Sequence, residues 1–338
     1  MDRWAEFDWE PEDDEDRRHP SRPLRFLPPG GGMVEITTRT LHGRFLLKPT
    51  RECVEIIEGV LGRALATYPR VRLHAYWFLS NHYNLLLSVP DVEAMSAFMR
   101  FVNSNLAREL GDLFDWHEKF WGRRYRAIVV LDRVAMVRRL RYLLAQGTKE
   151  GLVARPEEWP GANSLRALLE NEPGVGVWFD RTKEYRARKR GGTPKKYDFA
   201  IRYPIPLAPL PCWEGLPDAS RRAKVRDLVA EIESRAKAHR RETCHRPLGV
   251  HAILAQHPHD HPKNVARSPA PFCHASTRVE RVLFVGAYFE FLGAYQDASA
   301  RLRAGECLGA TSRFPPGCFP PRLPFVRRPE AIAQELSS

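Results

Sequence analysis

The chain of 338 residues has no run approaching 18 consecutive apolar residues. A membrane-spanning helix is therefore excluded, and no membrane partner is expected. Six cysteines (Cys53, Cys212, Cys244, Cys273, Cys307, Cys318) stand without CxxC spacing, so neither a disulfide framework nor a dithiol redox motif is expected. The sequence has no G-x-x-x-x-G-K-[ST] loop and no internal repeat. The N-terminus is acidic, not a basic stretch leading into an apolar run, so a secretory leader is not expected either. Together these absences point to free thiols in a reducing, cytoplasmic setting.

What the chain has instead is positive charge. Fifty-three Lys and Arg stand against 41 Asp and Glu, a formal net charge of +12. Such an excess favours a polyanionic partner, and nucleic acid is the commonest. The first twenty residues run the other way, with nine acids against three arginines. A block of like charge repels itself and reads as a disordered tail over 1–30.

Past Pro28-Pro29-Gly30-Gly31-Gly32, the residues Val34 to Thr40 alternate and are β-branched, so they read as a first strand. Val54, Ile57, Leu61 and Leu65 space out an amphipathic helix that Pro69 stops. Leu73 to Val89 then reads as two apolar strands meeting at a Ser80-Asn81 turn. Asp91 caps a second helix over 92–110, and 127–131 reads as a short buried strand. Asp132 caps a third helix to Gln146, with Gly147 as its expected stop. Strand, helix, strand, strand, helix, strand, helix is the order of an α+β, ferredoxin-like antiparallel sheet with helices packed on it. This domain is expected over 31–170. A basic and then Pro-rich linker is expected over 171–217, followed by a helical and Pro-rich extension over 218–338.

Two features bear on chemistry. His82 and Asn84 alternate with Tyr83 on the second hairpin strand, so both point to one face. Polar groups on an otherwise apolar strand usually cost stability, which makes these two candidates for a site. On the third helix Met136, Val137, Leu140, Leu143 and Leu144 form an apolar side, and Arg138, Tyr142 and Gln146 stand roughly opposite at i, i+4 and i+8. A phenol can attack a phosphate, an arginine can neutralise it, and a glutamine oxygen can ligate a hard cation. Taken alone, the helix is read more plainly as carrying a surface tyrosine. Between the two features lies an aromatic and basic patch, with Trp116, Trp121, Arg123, Arg124, Tyr125 and Arg126. His239, Cys244, His245, His251, His257, His259, His261, Cys273 and His274 make a histidine-rich C-terminal group, but their spacing fits no zinc signature.

Residues 33–167 resemble the single-tyrosine transposases of the HUH class, particularly the REP-associated tyrosine transposases. The family's Pro-Asn-His-x-His-Leu-Leu strand is matched by Ser80-Asn81-His82-Tyr83-Asn84-Leu85-Leu86. Its Tyr-Ile-x-x-Asn-Pro-Val-x-x-Gly-Leu-Val run is matched by Tyr142-Leu143-Leu144-Ala145-Gln146-Gly147-Thr148-Lys149-Glu150-Gly151-Leu152-Val153. Trp121-Gly122-Arg123-Arg124-Tyr125 and Glu158-Trp159-Pro160 extend the match.

The resemblance implies Tyr142 as nucleophile and His82, Asn84 and Gln146 as ligands of a weakly bound Mg²⁺ or Mn²⁺. It implies exchange of phosphodiesters in single-stranded or hairpin DNA through a 5′-phosphotyrosine, a reaction that needs no nucleotide energy source, as well as DNA transposition and a homodimer. Arg123, Arg124, Arg126 and Arg138 would then hold phosphates, while Trp116 and Tyr125 stack on bases and Trp121 is structural. The departure is Asn84, where the family has a second histidine. It makes an inactive, domesticated hairpin-DNA-binding protein the alternative.

Overall fold

In the computed structural model, residues 24–195, 197–263, 271–304 and 314–321 are described. Of the tail expected over 1–30, residues 1–23 lie outside them. The chain divides into two units, one within 27–281 and the other formed by 24–26 together with residues after 281.

The first unit opens with β1 (Gly32–Arg39), α1 (Arg51–Thr67), β2 (Arg72–Phe78), β3 (His82–Val89), α2 (Val92–Leu113) and β4 (Arg126–Val130). These strands lie in the order β2-β3-β1-β4, all antiparallel, which is the ferredoxin-like arrangement expected from the sequence. Side-chain oxygens close the helix starts: Thr50 accepts from the Cys53 amide and Asp91 from the Ala94 amide.

The two faces of the sheet follow from strand alternation. Tyr83 faces α2, and its hydroxyl donates to Asn103 Oδ1 at 2.6 Å. Met33, Ala75, Trp77, Leu86 and Val130 pack on the other face against α3 (Arg133–Lys149), within one buried cluster that includes Ala135, Leu140, Leu143 and Leu144. Asp132 caps α3 by accepting from the amides of Val134 and Ala135. Gly147 does not end this helix. A Cβ there would lie 3.1 Å from Val153 Cγ2 and 3.7 Å from the Trp159 side chain. The glycine lets the helix pass close beneath both, and α3 continues to Lys149.

Residues 171–217, expected as a linker, are instead built into the unit. After α4 (Leu165–Glu170) come β5 (Gly174–Phe179), α5 (Arg181–Lys189) and β6 (Ala200–Ile205). The β5–β6 hairpin lies on α1, where two glycines allow the backbones to touch. A Cβ on Gly176 would sit 1.9 Å from the Glu58 carbonyl oxygen, and one on Gly59 would sit 2.2 Å from that of Val177. A 3-10 turn (Pro211–Trp213) leads to α6 (Asp218–Thr243). Val225, Val229, Ile232 and Ala236 form the buried stripe of α6, in the same cluster as α3. After α7 (Val250–Ala255), β7 (Cys273–His274) adds a fifth strand parallel to β4.

The last helix, α8 (Arg278–Arg303), continues into the second unit. There Phe26 lies against Phe284 and Phe291, with ring centroids 5.4 and 5.0 Å apart. No helix among the described residues is long and apolar enough to cross a membrane.

Candidate functional site

The site is built on the sheet face that α3 covers. Register places Arg126, Thr37, Asn84 and Trp77 in one row across β4, β1, β3 and β2. Arg39 and His82 form the next pair toward the Ser80-Asn81 turn. Above them α3 packs against this face. Arg139 fixes the level of the helix through Glu35, with Nε 2.7 Å from Oε2 and Nη2 donating to Oε1 at 2.9 Å.

From Arg139 the helix rises about 10 Å to Gln146, while β1 rises about 13 Å from Glu35 to Arg39, the partner of His82. Trp159, packed by Gly147, donates its indole N–H to the Phe78 carbonyl at 2.8 Å, and the Leu79 amide donates to the His82 carbonyl at 2.8 Å. Gln146 and His82 therefore lie at the same end and on the same side of the sheet, with Tyr142 one turn before Gln146.

The polar atoms here have unequal partners. His82 Nδ1 donates to Asn81 Oδ1 at 2.7 Å, which leaves the ring's lone pair on Nε2. Burial, reinforced by the Arg39 charge, lowers its pKa to about 4, so the ring is neutral at pH 7. Asn84 Oδ1 accepts from the Thr37 hydroxyl at 2.7 Å. Asn84 Nδ2, Trp77 Nε1 and Gln146 Oε1 are buried without a hydrogen-bond partner among the described residues. Unpaired buried polar groups are rare in folded proteins, and three on one face call for an explanation.

A divalent cation is tested by this donor set. His82 Nε2 and Gln146 Oε1 present lone pairs suited to one, whereas Asn84 presents its amide N–H₂ unless that amide is turned about. The set of two amides and a neutral imidazole carries no charge, and no group of three His, Cys, Asp or Glu suited to a metal occurs among the described residues. Oxygen- and imidazole-rich neutral sets hold Mg²⁺ or Mn²⁺ weakly and leave much of the shell to substrate oxygens.

Tyr142 is half-buried, with Arg139 Cζ 3.9 Å and Lys149 Nζ 4.9 Å from its ring centroid. The tyrosine thus lies between two cations, one of them held by a buried carboxylate. Glu35 is 2% exposed and also meets His274 Nε2 at 2.8 Å. Burial alone would raise the pKa of Glu35, but the Arg139 charge and the contact with His274 override it and hold the carboxyl at about 2. The histidine-rich group thereby loses one member to this network. His257 and His259 lie elsewhere, against each other, with Trp116 beside His259.

The proposed DNA contacts separate in the structure. Arg123, Arg124 and Arg126 are exposed, and Arg126 lies in the Asn84 row. Trp116 is half-buried, its ring 5.1 Å from Arg44 Cζ. Tyr125 is buried, so the stacking expected of it has no open ring to use. It immediately precedes Arg126, the first residue of β4, and strand alternation turns it to the face opposite Arg126 and Asn84. Trp121 is structural: its indole donates to the Asn103 carbonyl at 2.9 Å and its ring packs edge-on to Tyr83. Arg138 is exposed and lines a groove on the α6 side of α3, and Arg139 is the arginine that lies against the Tyr142 ring. The sequence reading missed Glu35, Thr37, Arg39, Arg139 and Lys149, and it placed His274 only in the histidine-rich group.

No protein-family model and no curated protein matches the chain. Among solved structures, the chain is similar to a REP-associated tyrosine transposase bound to a REP hairpin. The identity is 14%, over 54% of this chain and 98% of that one, at a TM-score of 0.37. It is also similar to a protein of Deinococcus radiodurans R1 described as a transposase, with 15% identity over 38% of this chain and 98% of that one, at a TM-score of 0.27.

Proposed function

We propose that the chain is a transposase-like DNA-binding protein that cleaves and rejoins single-stranded or hairpin DNA, with Tyr142 as nucleophile. The observation that carries the reading is the place of Tyr142: between Arg139 and Lys149, on the helix that covers the His82/Asn84 face. The ordered sequence motifs around it and the net charge of +12 support the same reading.

In this mechanism the Tyr142 oxygen gives up its proton to water and forms a bond to phosphorus. The bond from phosphorus to the 3′-oxygen breaks, and that oxygen leaves as a hydroxyl after taking a proton. The products are a 5′-phosphotyrosine and a free 3′ end. A phenol has a pKa of roughly 10, so its anion needs nearby positive charge, which Arg139 and Lys149 supply. Arg126 and Arg39 flank the row of His82 and Asn84 and hold the phosphate oxygens. Mg²⁺ or Mn²⁺ would be held by His82, Gln146 and, with its amide turned, Asn84. When bound it would polarise the scissile phosphate.

A second reading, a hairpin-DNA-binding protein without catalysis, is favoured by Asn84 itself, whose Oδ1 is already taken by Thr37. The experiment that separates the two incubates the protein with hairpin DNAs and Mg²⁺ or Mn²⁺ and looks for a covalent adduct on a denaturing gel. An adduct lost in Tyr142→Phe supports the enzyme, and salt-sensitive binding without any adduct supports the binding protein.

A further inference from the structure

On the side of α3 facing α6, a groove of about 670 Å³ is lined by Arg133, Arg138, Arg141 and Lys224 around an apolar floor that includes Val137 and Trp213. No carboxylate is among its lining residues. Arg141 is paired with Glu231 on α6 at 2.8 Å, but neither Arg138 nor Lys224 has a carboxylate partner among the described residues. The charge comes from side chains, because the amides at the start of α3 are already taken by Asp132.

We propose that this groove is a second nucleic-acid site, which holds the phosphate backbone of the DNA strand leading to Tyr142. The proposal rests on the DNA reading above and assigns a role to residues of the 3-10 turn and α6 (211–243) that the sequence motifs leave without one. Three observations select the ligand. Four cations, three on α3 and one on α6, line one concave surface, which suits a polyanion. Arg133 and Arg141 are eight residues apart on one helix, about 12 Å, a length over which one strand of duplex presents three or four phosphates. A single small anion would not need that length. Finally, Arg138 at the rim of the groove is one helical turn before Tyr142, so a strand leaving the groove there arrives at the tyrosine.

The test measures binding of the full chain to a fluorescent hairpin DNA by anisotropy, from 50 to 300 mM salt. It compares the natural protein with Arg133→Gln/Arg138→Gln/Lys224→Gln and with the single change Arg138→Glu. Arg138 is exposed and has no carboxylate partner among the described residues, so that single variant is available even if the triple variant does not fold. The proposal expects affinity to fall at least about tenfold in the triple variant, with the salt slope shallower by about 2, and by a smaller factor in Arg138→Glu. Unchanged affinity and slope in both variants, with the natural protein binding well, overturns the groove and leaves the DNA reading standing. No binding by the natural protein overturns both. A variant that keeps DNA binding but loses binding to a poly-glutamate peptide overturns the proposal in favour of an acidic protein partner.

Discussion

The guanidinium of Arg139 lies 3.9 Å from the centre of the Tyr142 ring while its other edge meets the buried Glu35 carboxylate at 2.7 and 2.9 Å. The carboxylate thus fixes the arginine, and the arginine fixes the position of the tyrosine. Replacing Glu35 by Gln leaves the Arg139 charge beside an uncharged partner in a nearly dry setting. Breaking a buried pair in this way costs on the order of 3 kcal/mol. Glu35→Gln is expected to lower the denaturant midpoint and to slow adduct formation in the protein that remains folded. An unchanged midpoint would mean that Glu35 and Arg139 do not form this pair.

Asn84 offers a test in the opposite direction. Asn84→His places a second imidazole beside His82 and removes the amide oxygen that Thr37 now bonds. Tighter Mn²⁺ binding and a faster or newly detectable adduct are expected, followed by titration calorimetry and the gel assay. The lost Thr37 contact should cost about 1 kcal/mol of stability. If Mn²⁺ affinity does not rise, His82 and residue 84 do not share a cation.

Much of this fold was legible in the sequence, because its signals are local. Thr50, Asp91 and Asp132 cap helices three residues or fewer away, and the hairpin announces itself by alternation and a polar turn. The polar stripe read on α3 was legible only in part: Gln146 is buried, Arg138 lines the groove toward α6, and Arg139 lies against the Tyr142 ring. The Glu35–Arg139–His274 network was not, because it joins β1, α3 and β7 across the fold, and a glutamate inside an alternating strand looks like an ordinary polar residue. Gly147 has the usual appearance of a helix stop, and only its packing against Val153 and Trp159 shows why the helix passes through it. Residues 171–217 have the composition of a linker; the glycine contacts that seat β5 on α1 depend on which backbone comes near, which composition does not record.

That seating can be measured. Gly176→Ala places a Cβ 1.9 Å from the Glu58 carbonyl, a backbone atom that cannot move without shifting α1. Overpacking of this kind costs about 1–3 kcal/mol, more than the few tenths gained by restricting the unfolded chain. Thermal melting should show a drop of several degrees, and hydrogen exchange should show lost protection in β5 and β6. Wild-type stability in this variant would mean that the hairpin does not rest on α1.

Ionisation gives two further signs. Burial raises Glu58 to about 7, so at pH 8 the folded state holds a carboxylate that the unfolded chain carries more comfortably. Stability from this group is present below about 4.5 and is lost as pH rises through about 7. Glu58→Gln should therefore raise the melting temperature at pH 8 relative to the natural protein, and should bring little change at pH 4.5. His82, lowered to about 4, behaves differently: the unfolded chain takes up its proton first, so its contribution is present above about 6.5 and declines as pH falls toward 4. Its imidazole resonances, followed by NMR, should remain those of a neutral ring at pH 5.5. A titration centred near 6.5 would place His82 in water.

The most direct measurement of the central claim is intact-mass analysis of the protein after incubation with hairpin DNA and Mn²⁺, followed by sequencing of the modified peptide. The account predicts a mass increase equal to the 5′-phosphorylated DNA fragment, located on Tyr142 and absent from Tyr142→Phe. DNA that is cut while Tyr142 stays unmodified, or an adduct that persists in Tyr142→Phe, would contradict it.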